Sequence, residues 1–330
     1  AVPSDRTFWC PGMKHREMMF ISALLAALAL VPLLASNLII NFLVSALIVA
    51  LAAQGWNILG GLGGQISFGH AAFFGTGAYV TGLLQLRLGI NAWPAALAGI
   101  LAGAAVGWAI GAMVFRARLR GSYFALVTLA FAEVLRILVN ALDFTGGASG
   151  LLLKLSPGAA DFQFVSRAMF AWIAIAAVGA MLLLTRHIAG SRFGAQLVAV
   201  RENEDAARAL GVDIVATKLR AITLSAAITA MAGVFYVQYF LYLDAQIGYG
   251  SWLSIEALLA SIIGGVGTVG GPVIGALALH GLGELTKGFA GSIAGLDLVM
   301  FGLLLVAAIA FAPSGLMGAW KRLVKGRGNA

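Results

Sequence analysis

Residues 60–69 read GGLGGQISFG and run on into HAAFFGTGAY at 70–79, between two apolar stretches. Glycine at this density breaks a helix. Lipid tolerates no open backbone, so the freed N–H and C=O groups must face protein or a water-filled cavity. Inside a membrane protein, a broken helix of this kind points to a solute pathway before it points to packing.

Composition sets the class. The 330 residues are 61% hydrophobic and 10% charged, with a mean hydropathy of +0.97, too apolar for a domain with a wet surface. The formal charge of +8 comes from lysines and arginines in short runs between apolar spans. That distribution fits membrane orientation and excludes a nucleic-acid partner, which would need a continuous basic stripe. Cys10 is the sole cysteine, so neither an internal disulfide nor a thiolate zinc cluster is expected.

A span needs about 20 apolar residues to cross a hydrocarbon core of roughly 30 Å. Candidate runs lie near 19–36, 39–59, 69–86, 93–115, 121–142, 167–185, 217–243, 252–267, 272–289 and 295–312. The fold class expected is all-α, a polytopic membrane protein of about eight to ten transmembrane helices with glycine-rich broken or re-entrant segments. The eighth and ninth runs are short and separated by GGVGTVGG at 264–271. The expected organisation is a cytoplasmic segment 1–18, a transmembrane domain 19–320 and a basic cytoplasmic tail 321–330.

The positive-inside rule orients the chain. With a cytoplasmic N-terminus, the inside holds Lys14, Arg16, Arg116, Arg118, Arg120, Arg186, Arg192, Arg201, Arg208, Lys218, Arg220 and the basic tail. The outside keeps only Arg87, Lys154, Arg167 and Lys287. Lys14 to Ala35 also has the look of a signal peptide, but no small-residue cleavage site precedes a soluble domain.

Two loops are long enough for recognition. The outer one, 143–166, opens with DFTGGASGL and has turn chemistry without helical period. The inner one, 186–217, holds RENEDAARALGVD at 201–213. Asn203 is expected to cap a short helix with Glu204 and Asp205 in its first turn, Ala206, Ala207 and Leu210 on one face, and Gly211 as a left-handed stop. Such a helix presents small residues to a partner's groove; its plainer reading is a solvated loop helix.

DAARALG at 205–211 resembles the EAA loop of ABC importer permeases, with Asp for Glu and without the downstream Ile-x-Leu-Pro. More specific are GGLGGQISFGHAAFFGTGAY, RGSYFALVTLAFAEVLRIL at 120–138, TGGASGL at 145–151, RFGAQLVAVRENEDAARALGVD at 192–213 and SIIGGVGTVGGPVIGA at 261–276. In order and spacing these resemble the permease subunit of the high-affinity branched-chain amino acid ABC importers, over about residues 18–320, and the larger of the two permeases there. The resemblance implies import of leucine, isoleucine, valine or related small amino acids and amides across a bacterial inner membrane, with both termini cytoplasmic. It implies a second permease subunit, two cytoplasmic ATP-binding subunits and an extracytoplasmic substrate-binding protein as partners, in a setting of membrane lipid. No GxxxxGK[ST] phosphate loop occurs in the chain, so no cofactor is expected here, with ATP and Mg on the ATPases. No catalytic residue and no metal site are expected.

The candidate residues follow. Pathway candidates are Gly63, Gly64, Gln65, Ser67, Thr128, Glu133 and Ser261, polar or open positions along the spans. ATPase-coupling candidates are Arg201, Glu202, Asp205, Ala206, Ala207, Leu210 and Gly211. Binding-protein docking candidates are Thr145, Gly146, Gly147 and Ser149. Glu133 and Arg136, three apart inside the fifth span, are expected to pair as buried charges. His280, Glu284 and Lys287 share a face of the ninth span, and His70 is read as a hydrogen-bonded packing residue. The tryptophans, Trp56 among them, are read as an interfacial belt. Two rival functions stand beside the importer. A secondary transporter or channel also uses broken helices, though no dense relay of intramembrane carboxylates appears. Gly147–Gly150 matches the GxSG of intramembrane serine proteases, four residues long with nothing to position His280 beside Ser149.

Overall fold

In lipid a backbone must satisfy its own hydrogen bonds, so each apolar run folds as a helix. The structure is a computed structural model and describes residues 11–156, 158–290, 296, 299–300, 302–303, 306 and 315–318. The first six helices are α1 (Pro11–Leu34), α2 (Asn37–Trp56), α3 (His70–Leu88), α4 (Ala92–Arg116), α5 (Ser122–Ala141) and α6 (Arg167–Ala189). Then come α7 (Arg192–Glu202), α8 (Glu204–Ala209), α9 (Ile214–Phe240), α10 (Ala245–Tyr249), α11 (Ser251–Gly264) and α12 (Gly271–Ala290). Nine of the ten apolar runs coincide with helices; the tenth, 295–312, lies mostly outside the described residues, as do 1–10 and the tail 321–330. Among the described residues, six helical stretches are long and apolar enough to cross a membrane: Asn37–Leu62, Ala92–Arg116, Ser122–Ala141, Arg167–Ala189, Ile214–Phe240 and Ala245–Gly264. The chain is an all-α polytopic membrane protein. A two-residue ribbon, β1 (Leu151–Leu152) antiparallel to β2 (Tyr242–Leu243), ties the outer loop to the end of α9.

Helix α9 is the hub, packed against α2, α3 and α4. Without a hydrophobic drive between helices in lipid, close approach of small residues supplies the attraction. Gly99, Gly103, Gly107 and Gly111 form one ridge on α4. A side chain at Gly99 would strike Thr81 and the Gly77 backbone, at Gly103 Ala230, at Gly107 Ala226 and at Gly111 Ile222. Gly233 on α9 lies against the backbone of Phe74 in the same way. Helix α2 is buried without interruption from Ala46 to Trp56, and α1 joins the bundle by packing Ile21 and Leu28 into the core beside α6.

The inner segment differs from the expected loop with one short helix. It is helical almost throughout, because Ser191 accepts the Gly194 N–H at 3.2 Å and starts α7 directly after α6. The outer loop is irregular as expected, with two 3₁₀ turns at Asp143–Thr145 and Gly147–Ser149.

Candidate functional site

Helix α2 does not end at Trp56 but widens into a π-helical turn, Asn57–Leu62, a form that recurs at functional positions. Gly63 N–H reaches Ile58 O at 3.2 Å and Gln65 N–H reaches Leu59 O at 3.1 Å. Gly64 follows at φ +68°, a conformation that strains any residue with a Cβ. The chain then runs open to His70. Side chains take up two of its donors, Phe68 N–H to Thr128 Oγ1 (3.3 Å) and Gly69 N–H to Ser67 Oγ (3.1 Å), and Ala71 N–H at the start of α3 donates to Ser254 Oγ (2.8 Å). Trp56, read as part of an interfacial belt, is buried instead, and its Nε1–H donates to Ser67 O at 2.9 Å across the break.

The two glycine runs meet. Gln54 Nε2 donates to Val269 O (2.8 Å), Asn57 Nδ2 to Thr268 O (2.9 Å), and Gly267 N–H to Asn57 Oδ1 (2.8 Å). Gln54 and Asn57 are fully buried, and Thr185 of α6 donates to Gln54 Oε1 at 3.1 Å. A side chain at Gly61 would collide with the Gly267 backbone. The inner segment touches the same place. Arg201, the penultimate residue of α7, donates from Nη1 to Gly61 O at 3.0 Å while its stem covers Gly64, and Glu202 Oε1 holds the guanidinium at 2.7 Å. One arginine therefore joins the segment 186–217 to the broken helix, and the buried Asn57 joins that to the second run.

Helix α8 is capped as expected. Asn203 Oδ1 accepts from Asp205 and Ala206 N–H at 3.0 Å each, and Gly211 has φ +83°. Its faces differ from the expectation. Ala207 is buried, 2% exposed, against Val200 and Ile214, whereas Leu210 is 83% exposed. Ala207 therefore holds α8 to the rest of the chain, and the open face carries Asp205, Ala206 and Leu210. Glu204, absent from the candidates, faces inward to Lys218 Nζ at 2.5 Å and Arg120 Nη2 at 3.0 Å. Lys218 is buried under the Phe115 ring. These contacts are remote in sequence, so no local spacing announced them.

Among the pathway candidates, Gly63, Ser67, Thr128 and Ser261 are buried. Ser261 Oγ bridges Ala257 O and Ala53 O, stitching α11 to α2. Gly64, Gln65 and Glu133 reach the surface. The Glu133–Arg136 pair forms at 2.5 Å, but on an open face of α5 beside exposed Val134, Ile137 and Leu138, not buried in the bundle as expected. A polar residue joins it from α10: Arg136 Nη1 reaches Gln246 Oε1 at 3.4 Å. In the outer loop Thr145 is buried and donates to Leu142 O at 2.7 Å, Gly147 is buried, and Ala148 and Ser149 face outward.

His70 Nε2 meets Ser225 Oγ at 2.9 Å inside the bundle, in its packing role. His280 turns toward Glu256, Nε2 to Oε1 3.3 Å, with Phe42 edge-on to its ring. Glu284 and Lys287, on the same face of α12, pair with each other at 2.9 Å. Glu256, not Ser149, is the side chain beside His280.

Residues 38–309 match the family model described as branched-chain amino acid transport system / permease component. The chain is similar to the high-affinity branched-chain amino acid transport system permease protein LivM of Escherichia coli, 28% identical over 93% of this chain and 76% of the relative. LivM of Salmonella typhimurium is 27% identical over the same shares. The permease protein LivH of Escherichia coli is 28% identical over 82% of this chain and 91% of its own length.

Proposed function

We propose, from the premise that this chain belongs to the family of branched-chain amino acid transport system permease components, that it is the larger of two membrane subunits of an ABC importer. Its solutes are leucine, isoleucine and valine or closely related amino acids and amides, moved across a bacterial inner membrane. It pairs with a second permease, receives solute from an extracytoplasmic binding protein and draws energy from two cytoplasmic ATPases that carry ATP and Mg. The chain does no covalent chemistry. Both termini lie in the cytoplasm, consistent with the distribution of arginine and lysine.

The observation that carries this reading is the Arg201 hydrogen bond to Gly61 O. It ties the segment that resembles an ATPase-coupling loop to the only part of α2 where the helix widens and breaks. Asp205, Ala206, Leu210 and Gly211 form the docking face toward the ATPase, with Arg201 and Glu202 behind it as transmission. Gly64, Gln65 and Glu133 border the pathway, which runs along the open face of α5 toward the partner permease. The Thr145–Ser149 turns receive the binding protein; their buried Thr145 and Gly147 fix the backbone that presents Ala148 and Ser149. Alternating access follows when ATPase closure pulls α7 and α8, and Arg201 passes that displacement to the π-helical turn.

The test is uptake of labelled leucine into vesicles holding the permease pair and binding protein, with and without the ATPases, at fixed ion gradients. The importer requires the ATPases and ATP. Saturable uptake without them overturns this reading in favour of a secondary transporter or channel.

A further inference from the structure

The coupling segment borders a cavity of about 450 Å³, within the ~300–1,000 Å³ range of small-ligand sites. It opens where α4 ends, α5 begins and α8 leads into α9. Arg118, Arg120, Arg208 and Lys218 supply its polar wall, with two carboxylates, Glu204 and Asp213. Both carboxylates are engaged: Glu204 by Lys218 and Arg120, Asp213 by the Ala216 N–H at 2.9 Å as the cap of α9. Arg208 also bonds Asp205 at 3.0 Å on its outer side. Arg118 sits at φ +56°, unusual for a residue with a side chain. Apolar side chains, Phe115, Leu119, Ile214 and Val215, line it as well, with Phe115 beneath Lys218. Val215 is exposed, and Tyr123, the second residue of α5, is 73% exposed.

A cavity lined by both cationic and apolar side chains, where the long apolar helices α4, α5 and α9 end or begin, matches an amphiphilic anion. We infer that this cavity binds the phosphate headgroup of an anionic phospholipid from the leaflet on the coupling side, with Arg118 and Arg208 on the phosphate and the first acyl carbons along Phe115, Leu119 and Val215. Basic pockets between transmembrane helices take such headgroups, and each basic side chain near an anionic surface contributes about 1 kcal/mol. An acidic loop of a soluble partner would use the cationic side chains but leave the apolar ones unmatched. The bound lipid bridges the α4–α5 turn to α8, so it braces the coupling helix against the membrane.

The experiment uses the full chain purified with its permease partner and no ATPase, in nanodiscs of phosphatidylcholine with and without phosphatidylglycerol, read by native mass spectrometry. Wild type is expected to retain one more phosphatidylglycerol per chain than the Arg118→Gln/Arg208→Gln variant, with affinity lowered about tenfold or more in the variant. Arg118→Lys/Arg208→Lys, which keeps both charges, should restore retention; this separates a lost site from a misfolded chain. Equal retention by wild type and the Gln variant overturns the proposal. Displacement of the lipid by millimolar inorganic phosphate assigns the site to a free anion and overturns the lipid source. Unaffected lipid retention by the Gln variant, together with loss of ATPase binding in a parallel pull-down with added ATPase, assigns these side chains to a protein partner and overturns the proposal as well. None of these outcomes depends on whether leucine is transported.

Discussion

Between Gly99 and Gly111 glycine recurs every fourth residue on an unbroken helix, whereas between Gly60 and Gly69 five glycines crowd into ten residues that end one helix and precede the next. On α4 the missing side chains let Thr81, Ala230, Ala226 and Ile222 come close, and the backbone keeps its helical hydrogen bonds. At the break the missing side chains free the backbone, and Thr128, Ser67 and Arg201 arrive to bond Phe68, Gly69 and Gly61, while Ser254 holds the first turn of α3 and Asn57 reaches the second glycine run. Regular spacing makes glycine a packing surface in lipid; clustering makes it a joint that polar side chains must hold. The two regions should therefore fail differently, the ridge by loss of the folded bundle and the joint by loss of function in an intact one.

The largest effect is expected on the ridge. Gly103→Leu puts a branched side chain against Ala230 and the Phe73 backbone, overpacking by about 3 kcal/mol at the upper end of such changes. Monodisperse protein in detergent should fall several-fold together with transport. A well-folded Gly103→Leu protein would erase the distinction between the two regions.

At the joint, Asn57→Ala removes two hydrogen bonds to the second glycine run and leaves Thr268 O and Gly267 N–H without that partner. The expected loss is about 2 kcal/mol, seen as a lower melting temperature and a proportionally greater loss of uptake. Gly64→Leu is smaller in stability and sharper in function. The position is exposed at φ +68° under the Arg201 stem, so left-handed strain of about 1–2 kcal/mol should leave assembly with the partner intact while uptake drops about tenfold. Assembly and uptake falling in parallel would make the joint another packing surface.

The helices and the clustered glycines were legible because both are local signals: runs of about 20 apolar residues, and a polar glycine stretch between two of them. The capping of α8 by Asn203 and its stop at Gly211 were legible for the same reason. The α4 ridge was equally visible as GxxxGxxxGxxxG, but a period of four inside an otherwise ordinary span is overlooked when glycines are counted by density. Ala207 was assigned to a partner-facing surface because its own helix has six residues and too little period to choose a side; Val200 and Ile214, outside that helix, make the choice. Glu204 with Lys218, His280 with Glu256 and Arg201 with Gly61 depend on how separate helices pack, which no spacing along the chain encodes.

In the proposed mechanism Arg201 carries motion from α7 and α8 to the joint that follows α2. The direct measurement is the amount of leucine moved per ATP hydrolysed by the reconstituted complex, compared between wild type and Arg201→Gln. Loss of one charge-assisted hydrogen bond predicts a ratio lowered about tenfold, with ATP hydrolysis and subunit assembly near wild type. An unchanged ratio in a folded, assembled Arg201→Gln complex would contradict the account.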